Sequence, residues 1–271
     1  MSGALVVCPT PIGNLADVTL RVLDELRQAG VVACEDTRRT LALLDRHGIA
    51  APRVSLTEHN EAARIPVLLE RIRAGERVAL VSDAGTPAVS DPGGRLVAAA
   101  LDAGLAVEVL PGASAVTTAA VASGLAGVGF AFCGFLPRTP AGIGALLDRV
   151  DGAGLAVVAF ESPRRLPATL RALADRDPGR RAAVCRELTK LHEEVRRGTL
   201  AELAGHYATA PKGEVTLVLA PAAPGGRAEP AEEALRELAE VVGSRRAAAL
   251  ASRLTGHPRN RLYAAITRAR R

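Results

Sequence analysis

The sequence predicts an α/β protein: two consecutive α/β domains with a ligand cleft, followed by a small basic helical region. Three observations predict it. Short apolar runs alternate with amphipathic helical patterns along most of the 271 residues. Several of those runs lead straight into loops of glycine, proline, serine and acidic residues, where parallel sheets gather their ligands. Finally, residues 244–271 contain eight arginines and no Asp or Glu; with a net charge of +5 overall, residues 1–243 carry −3. The positive field therefore belongs to the tail, as an electrostatic footprint for nucleic acid would.

In the first unit, residues 1–125, the apolar runs 5–8, 31–34, 54–56, 78–81 and 107–110 read as strands. Leu20, Leu23 and Leu26, then Leu41 and Leu44, then Ile65, Leu68, Leu69 and Ile72 mark helices between them. Thr19 and Asn60 are placed to cap two of these; Gly30, Gly48, Gly75 and Gly104 stand where helices should stop. Gly-rich residues 124–129 suggest a hinge. In the second unit, 126–220, the best strands are 131–135, 156–160, 182–185 and 215–219. Residues 221–230, rich in Ala, Pro and Gly, read as a linker, and 231–271 as the basic helical region. There Ala247, Leu250, Ala251 and Leu254 form one helical face; Gly256 breaks it, and Pro258 opens a second helix carrying Leu262 and Ile266.

Composition narrows the function. At 48% hydrophobic and 23% charged the chain is no disordered segment. Only 2% of residues are aromatic and none is Trp, which argues against a sheet that stacks bases on its surface. Cys8, Cys34, Cys133 and Cys185 are scattered, so no metal site or disulfide is expected, and they read as buried residues in a reducing cytosol. Neither an apolar run long enough to span a bilayer nor a signal-peptide pattern is apparent, which suggests a cytoplasmic protein. Thirty-two arginines accompany just two lysines, Lys190 and Lys212, which marks those two as places where a guanidinium will not serve.

Three loops carry the chemistry. Cys8-Pro9-Thr10-Pro11-Ile12-Gly13-Asn14-Leu15 is stiffened by two prolines. Residues 82–94, from Ser82-Asp83-Ala84-Gly85-Thr86-Pro87 to Asp91-Pro92-Gly93-Gly94, bring backbone close to a flat ligand, with Asp83 as an acceptor. In Leu110-Pro111-Gly112-Ala113-Ser114-Ala115, Ser114 either caps a helix or faces the ligand. The nucleotide-binding G-x-G-x-x-G and P-loop patterns and the G-x-S-x-G of serine hydrolases are absent. Charged clusters end other strands: Glu35-Asp36-Thr37-Arg38, His59-Asn60, Glu161-Ser162-Pro163-Arg164-Arg165, Arg186-Glu187-Leu188-Thr189-Lys190 and Lys212-Gly213-Glu214. Each alone reads as a capped turn with a surface ion pair; five together point to a site.

In this order, Thr10-Pro11-Ile12-Gly13-Asn14-Leu15, Glu35-Asp36-Thr37-Arg38, Val81-Ser82-Asp83-Ala84-Gly85-Thr86-Pro87, Gly134-Phe135-Leu136-Pro137 and Arg186-Glu187-Leu188-Thr189-Lys190 resemble the 16S rRNA (cytidine-2′-O)-methyltransferases of the tetrapyrrole methylase superfamily. One departure is Ala113, where the family usually has proline. The resemblance implies S-adenosylmethionine bound between the two α/β domains, a homodimer, and a decoding-centre cytidine of the small ribosomal subunit as substrate. It implies cofactor contacts from Pro9, Thr10, Pro11, Asp83, Gly85, Thr86, Ser114 and Ala115, closed by Leu136 and the turn of Phe160, Glu161 and Ser162. Arg38, Arg245, Arg246, Arg259 and Arg261 would hold RNA.

A ribose hydroxyl needs a base, and Glu35, Asp36, Glu187, Lys190, Lys212 and Glu214 are the candidates. Lys190 or Lys212 would serve with a pKa lowered by burial, or as an alkoxide stabiliser; equally, both lysines could only pair with Glu187 and Glu214 and shape the loops. Two other functions compete. A methyltransferase for a porphyrin-like ring or the diphthamide precursor shares the fold but has no use for an acid-free arginine tail. A non-catalytic RNA-binding assembly factor would need the tail but not intact ligand loops.

Overall fold

The structure, a computed structural model, describes residues 3–127, 129–222, 232–255 and 258–268. The first unit runs β1 (Ala4–Val7), α1 (Leu20–Gln28), β2 (Val31–Cys34), α2 (Thr37–Arg46), β3 (Arg53–Ser55), α3 (Glu61–Arg73), β4 (Arg77–Leu80), α4 (Gly94–Asp102), β5 (Ala106–Val109) and α5 (Ala115–Ser123). Its strands form an all-parallel sheet in the order β3-β2-β4-β1-β5. Both faces are covered, which explains the unbroken apolar runs of β1 and β2. Val6 and Val32 point to one side, against Val22 and Leu26 of α1 and Leu44 of α2. Leu5 and Val7 point to the other, against Leu68 and Ile72 of α3 and Leu96 of α4.

The second unit runs β6 (Phe130–Phe135), α6 (Pro140–Asp151), β7 (Ala156–Glu161), α7 (Leu166–Arg176), β8 (Arg181–Arg186), β9 (Glu194–Thr199), α8 (Leu200–His206) and β10 (Val215–Leu219). Its sheet order is β6-β7-β10-β8-β9; β6 and β7 are parallel and the other pairs antiparallel. The four strands expected from apolar runs are present. β9 was not expected, because Glu194-Val195-Arg196-Arg197-Gly198-Thr199 has no apolar run; it is a charged edge strand, a composition that discourages pairing with other chains. One face of this sheet packs on α6, α7 and α8 through Leu147, Leu170 and Leu203. The other packs on α5: Val116, Ala119 and Ala120 lie against Val158, Ala183, Cys185 and Val218. A helix that ends the first unit in sequence thus belongs to the core of the second. Its small side chains permit that approach.

Several local expectations need correction. Thr19 does cap α1, accepting from the Val22 N–H. Asn60 stands at the start of α3 but does not cap it; its Oδ1 accepts from the Thr57 N–H and its amide donates to the Ser55 carbonyl, closing the preceding turn. Ser114 makes no side-chain cap for α5. Cys133 is half-buried rather than buried. Residues 223–230 of the expected linker, and Gly256 as a helix breaker, lie outside the described residues. The expected pair is present as α10 (Ser244–Thr255) and α11 (Arg259–Arg268), and a further helix, α9 (Glu232–Val242), precedes it and packs with it. They enclose a core of Leu235, Ala239, Ala247, Ala251, Leu262 and Ile266. Arg270 and Arg271 lie outside the described residues.

Arg77 ties three elements of the first unit together. Its guanidinium donates to Glu25 of α1 at 2.8–3.1 Å and to Glu108 of β5 at 2.8 and 3.2 Å, with Arg77 and Glu25 almost wholly buried. Arg77→Ala leaves Glu25 without its cation, and equilibrium urea unfolding should show a loss of about 3 kcal/mol. The same hydrogen bonds hold the Glu108 carboxyl below its ordinary pKa. That contribution is therefore present at neutral pH and lost as pH falls through the lowered value, so the variant should unfold with a shallower acid dependence.

Candidate active site

Three loops at the carboxyl ends of β1, β4 and β5 meet above the first sheet. Thr10 and Gly85 exchange two backbone hydrogen bonds of 2.8 and 2.9 Å, which join the first loop to the second. The buried Thr10 hydroxyl adds a bond to the Ser82 carbonyl at 3.0 Å. Thr86 Oγ1 donates to the Ala113 carbonyl at 3.2 Å and so ties the second loop to the third. Gly85 has φ +82°, and a Cβ there would stand 3.3 Å from Ile12 Cγ2 and 3.7 Å from the Ala113 carbonyl oxygen. The position requires glycine both for its backbone and for its neighbours.

Between these loops and the second sheet lies a cavity of about 340 Å³. Its first-unit wall is Ile12, Ala84, Gly85, Thr86 and the stretch Val89, Ser90 and Asp91, with Ser114, Ala115 and Val116 at the start of α5. The second unit contributes Phe135, then Phe160, Glu161, Ser162 and Pro163, and finally Cys185, Leu188 and residues 213–216. The register of β6 against β7 shifts between Phe132 and Phe135, with Gly134 at φ +63° inside the irregularity. This break turns Phe135 to the cavity and sets its ring edge-on to Phe160 at 5.6 Å.

Of the twelve residues expected at the ligand, the structure brings Gly85, Thr86, Ser114, Ala115, Phe160, Glu161 and Ser162 onto the wall. Pro9, Thr10, Pro11, Asp83 and Leu136 stand behind it. Asp83 works as a brace: Oδ1 accepts from the Asp36 N–H at 3.0 Å and Oδ2 pairs with Arg39 at 3.3 Å. Leu136 is buried, and its backbone is held by Phe160 and by Arg165. The Glu161 carboxylate is fully enclosed and occupied by Arg165, the Thr169 hydroxyl and the Ser162 N–H. It fixes the ends of β6 and β7, and what it offers the cavity is backbone.

The catalytic candidates separate. Asp36 caps α2, accepting from the Arg38 N–H, and its side chain is chelated by the Arg38 guanidinium, which holds it down to about 2. Arg38 itself is exposed. The Glu35 carboxyl is raised by burial and by the charge of Asp83. Lys190 donates to Glu187 at 2.8 Å and to Glu214 at 2.9 Å. Burial alone would lower its pKa, but the two carboxylates outweigh burial and raise it. A lysine base needs the opposite shift, so Lys190 keeps its proton. Glu187 is lowered by the Lys190 hydrogen bond and by the Glu214 N–H. Lys212 is exposed at the rim, beside Gly213 and Glu214 of the wall. Burial pushes the Cys185 thiol up to about 11, which removes it as a nucleophile near neutrality.

The two units meet tightly beside the cavity. A Cβ at Gly13 would stand 2.4 Å from Lys190 Cγ and 2.8 Å from the Leu188 carbonyl oxygen. Glu214, one of the candidate bases, lines the cavity, as do Asp91 and Phe135, to which the sequence assigned no contact or role. Asp91 lay inside a quoted loop, and only the fold distinguishes it from its neighbours.

The sequence model of the tetrapyrrole (corrin/porphyrin) methylases matches residues 4–204, and one described as the RsmI C-terminal HTH domain matches residues 225–270. A Mesorhizobium japonicum protein named ribosomal RNA small subunit methyltransferase I is 46% identical over 96% of this chain and 90% of its own. Among solved structures, a diphthine synthase superposes with a TM-score of 0.63 at 19% identity, over 80% of this chain and 90% of that one. A Thermus thermophilus uroporphyrin-III C-methyltransferase, complexed with S-adenosyl homocysteine, gives 0.57 at 21% identity, over 80% and 97%. These two share the fold.

Gly85→Ala should cost about 1–2 kcal/mol for the left-handed backbone, plus the displacement of Ile12. Gly48, also left-handed at φ +61° but with nothing within 4 Å of its added Cβ, supplies the control. Thermal unfolding of the two alanine variants should show the larger loss at Gly85.

Proposed function

The chain belongs to the tetrapyrrole (corrin/porphyrin) methylase family, and on that premise we propose that it methylates the ribose 2′-oxygen of a decoding-centre cytidine in 16S rRNA of the small ribosomal subunit. The observation that carries the RNA substrate is the arginine surface of α10 and α11, two helices with no Asp or Glu. Arg245, Arg246 and Arg253 on α10 and Arg259 and Arg261 on α11 are all exposed. A tetrapyrrole-sized substrate gives such a surface nothing to do, whereas phosphates do. The 46% identity to a protein named as an rRNA methyltransferase supports the same choice. An assembly factor without catalysis would not keep a cavity of about 340 Å³ built from three interlocked loops.

S-adenosylmethionine fits the donor set. It supplies an already activated, cationic methyl donor when bound. The first turn of α5 has no side-chain cap at Ser114, so its N–H groups at the wall are available to the cofactor carboxylate. The carboxylate of Glu214 at the wall suits the cofactor's ammonium. Phe135, Phe160 and Pro163 form an apolar wall for a flat base, and the small residues 84–86 admit the ligand close to backbone. Pro9, Thr10, Pro11, Asp83 and Leu136 hold those groups in place from behind.

Alignment of hydroxyl, methyl and sulfur is the main catalytic demand, and the interlocked loops provide a rigid frame for it. Lys190 stays protonated and anchors Glu187 and, at the cavity wall, Glu214. Lys212 and Arg38, both exposed, meet the phosphates beside the target nucleotide, with the tail arginines further along the strand. A homodimer follows from the family premise; the exposed Leu101 and Val109, on α4 and the edge strand β5, are apolar surface for it, and sedimentation equilibrium tests that assembly.

The purified protein should bind S-adenosylmethionine in calorimetry and transfer a labelled methyl to small subunits from a strain lacking the gene, with the label on one cytidine. Label in a tetrapyrrole but not in rRNA overturns the proposal. Glutamates at Arg245, Arg246, Arg259 and Arg261 should reduce the log–log salt slope of RNA binding by about 3, with cofactor affinity unchanged. Lys190→Arg should lower activity by loosening the Glu187–Glu214 contact; normal methylation by both Lys190→Arg and Lys212→Arg would remove the lysines from the mechanism.

A further inference from the structure

We infer that Asp91 is the general base that takes the proton of the acceptor hydroxyl, an inference that rests on the methyl-transfer reading above. Three carboxylates line the cavity: Asp91, Glu161 and Glu214. Glu161 is enclosed by Arg165, Thr169 and the Ser162 N–H, and Glu214 is paired with Lys190. Asp91 alone has no cationic partner among the described residues.

Nor does Asp91 have a structural task at the helix it precedes. In the sequence Asp91-Pro92-Gly93-Gly94 it stands two residues before Gly93, the N-cap of α4, and so outside the capping position. The N-terminus of α4 is instead served from α3: the Gly93 N–H donates to Glu61 Oε1 at 3.2 Å, and Glu61 is buried. The loop that presents Asp91 is held in an unfavourable backbone. Ala88 and Ser90 sit at φ +66° and +65°, and Gly93 at +112°. Two non-glycine residues in the left-handed region within three positions are strain that packing must maintain, and such strain gathers at sites where a side chain is aimed.

The charges facing Asp91 come from every neighbouring element. Glu35 lies after β2, Asp83 after β4 and Glu214 before β10, while the Ser82 hydroxyl beside it donates to the Gly85 carbonyl at 3.2 Å. The nearby cations are committed elsewhere, Arg39 to Asp83 and Lys190 to Glu214. Burial first, and then Glu35, push the Asp91 carboxyl up to about 6. At neutral pH it is ionised, yet it accepts a proton more readily than an ordinary aspartate. Asp91 takes the proton of the ribose hydroxyl while the oxygen's electron pair forms the bond to the methyl carbon and the carbon–sulfur pair leaves with sulfur. It returns that proton to water once the methylated ribose has gone.

Asp91→Asn removes the base at constant shape, and Asp91→Glu restores a carboxylate. With wild-type activity on small subunits as the reference, Asp91→Asn should lower kcat about 100-fold or more, with thermal unfolding and calorimetric S-adenosylmethionine affinity within threefold of wild type. Asp91→Glu should recover part of the rate. Wild-type log kcat/KM should fall with unit slope below about pH 6, a limb absent from the residual rate of Asp91→Asn. Near-normal kcat for Asp91→Asn, or a defect confined to cofactor affinity, overturns the base and makes Asp91 a cofactor contact or a bystander. No transfer by the wild-type protein overturns the methyl-transfer reading and this inference together, which distinguishes the two failures.

Discussion

Two backbone hydrogen bonds between Thr10 and Gly85 hold together the loops that follow β1 and β4, and most of the site's geometry descends from that constraint. Adjacent parallel strands end side by side, but their loops are free to diverge unless something closes them. Here the closure is made by backbone groups, with the Thr10 and Ser82 hydroxyls adding bonds inside it. Because Gly85 takes a left-handed conformation at the join, the chain turns Ala84, Gly85 and Thr86 to the cavity rather than to solvent. Thr86 then reaches Ala113 and brings the start of α5 to the same wall.

α5 carries the constraint across to the second unit. Its N-terminus lies at the cavity, while Val116, Ala119 and Ala120 are buried against the second sheet. The cavity is therefore framed by elements that share a core, and its width is set by packing as close as in any protein interior. The contact of Gly13 with the Leu188–Lys190 stretch sets a second point of fixation. The irregularity at Gly134 in β6 completes the wall by re-aiming Phe135.

Charge is distributed unevenly over this frame. Several arginines in the body are engaged in structural pairs: Arg77 with Glu25 and Glu108, Arg165 with Glu161, Arg180 with Asp151. These leave the site with an excess of carboxylate, felt as raised pKa values at Glu35 and Asp91. A cleft of that sign attracts a cationic ligand, while the tail offers the opposite sign to a polyanion. One chain thus presents two complementary fields to two partners, kept apart by placing them on separate cores.

The sequence by itself determined the α/β class, nine of the ten strands to within a residue or so, the loops that carry chemistry and the basic tail. These follow from local causes: apolar runs that must be buried, glycines and prolines that fix turns, and an arginine excess that no acid offsets. It could not reveal β9, whose charged residues suit an edge, nor a third tail helix. It also could not say which members of a charged cluster face the cavity. Asp36, Glu161 and Lys190 had the right chemistry, but tertiary contacts commit them to Arg38, to Arg165 and Thr169, and to Glu187 and Glu214. Asp91 stood among small loop residues without distinction, and became prominent only because the fold sets it on the cavity wall with no cationic partner among the described residues. A side chain's task depends on which partners the fold brings within hydrogen-bond reach, and those partners are distant in sequence. Only the tertiary structure could decide it.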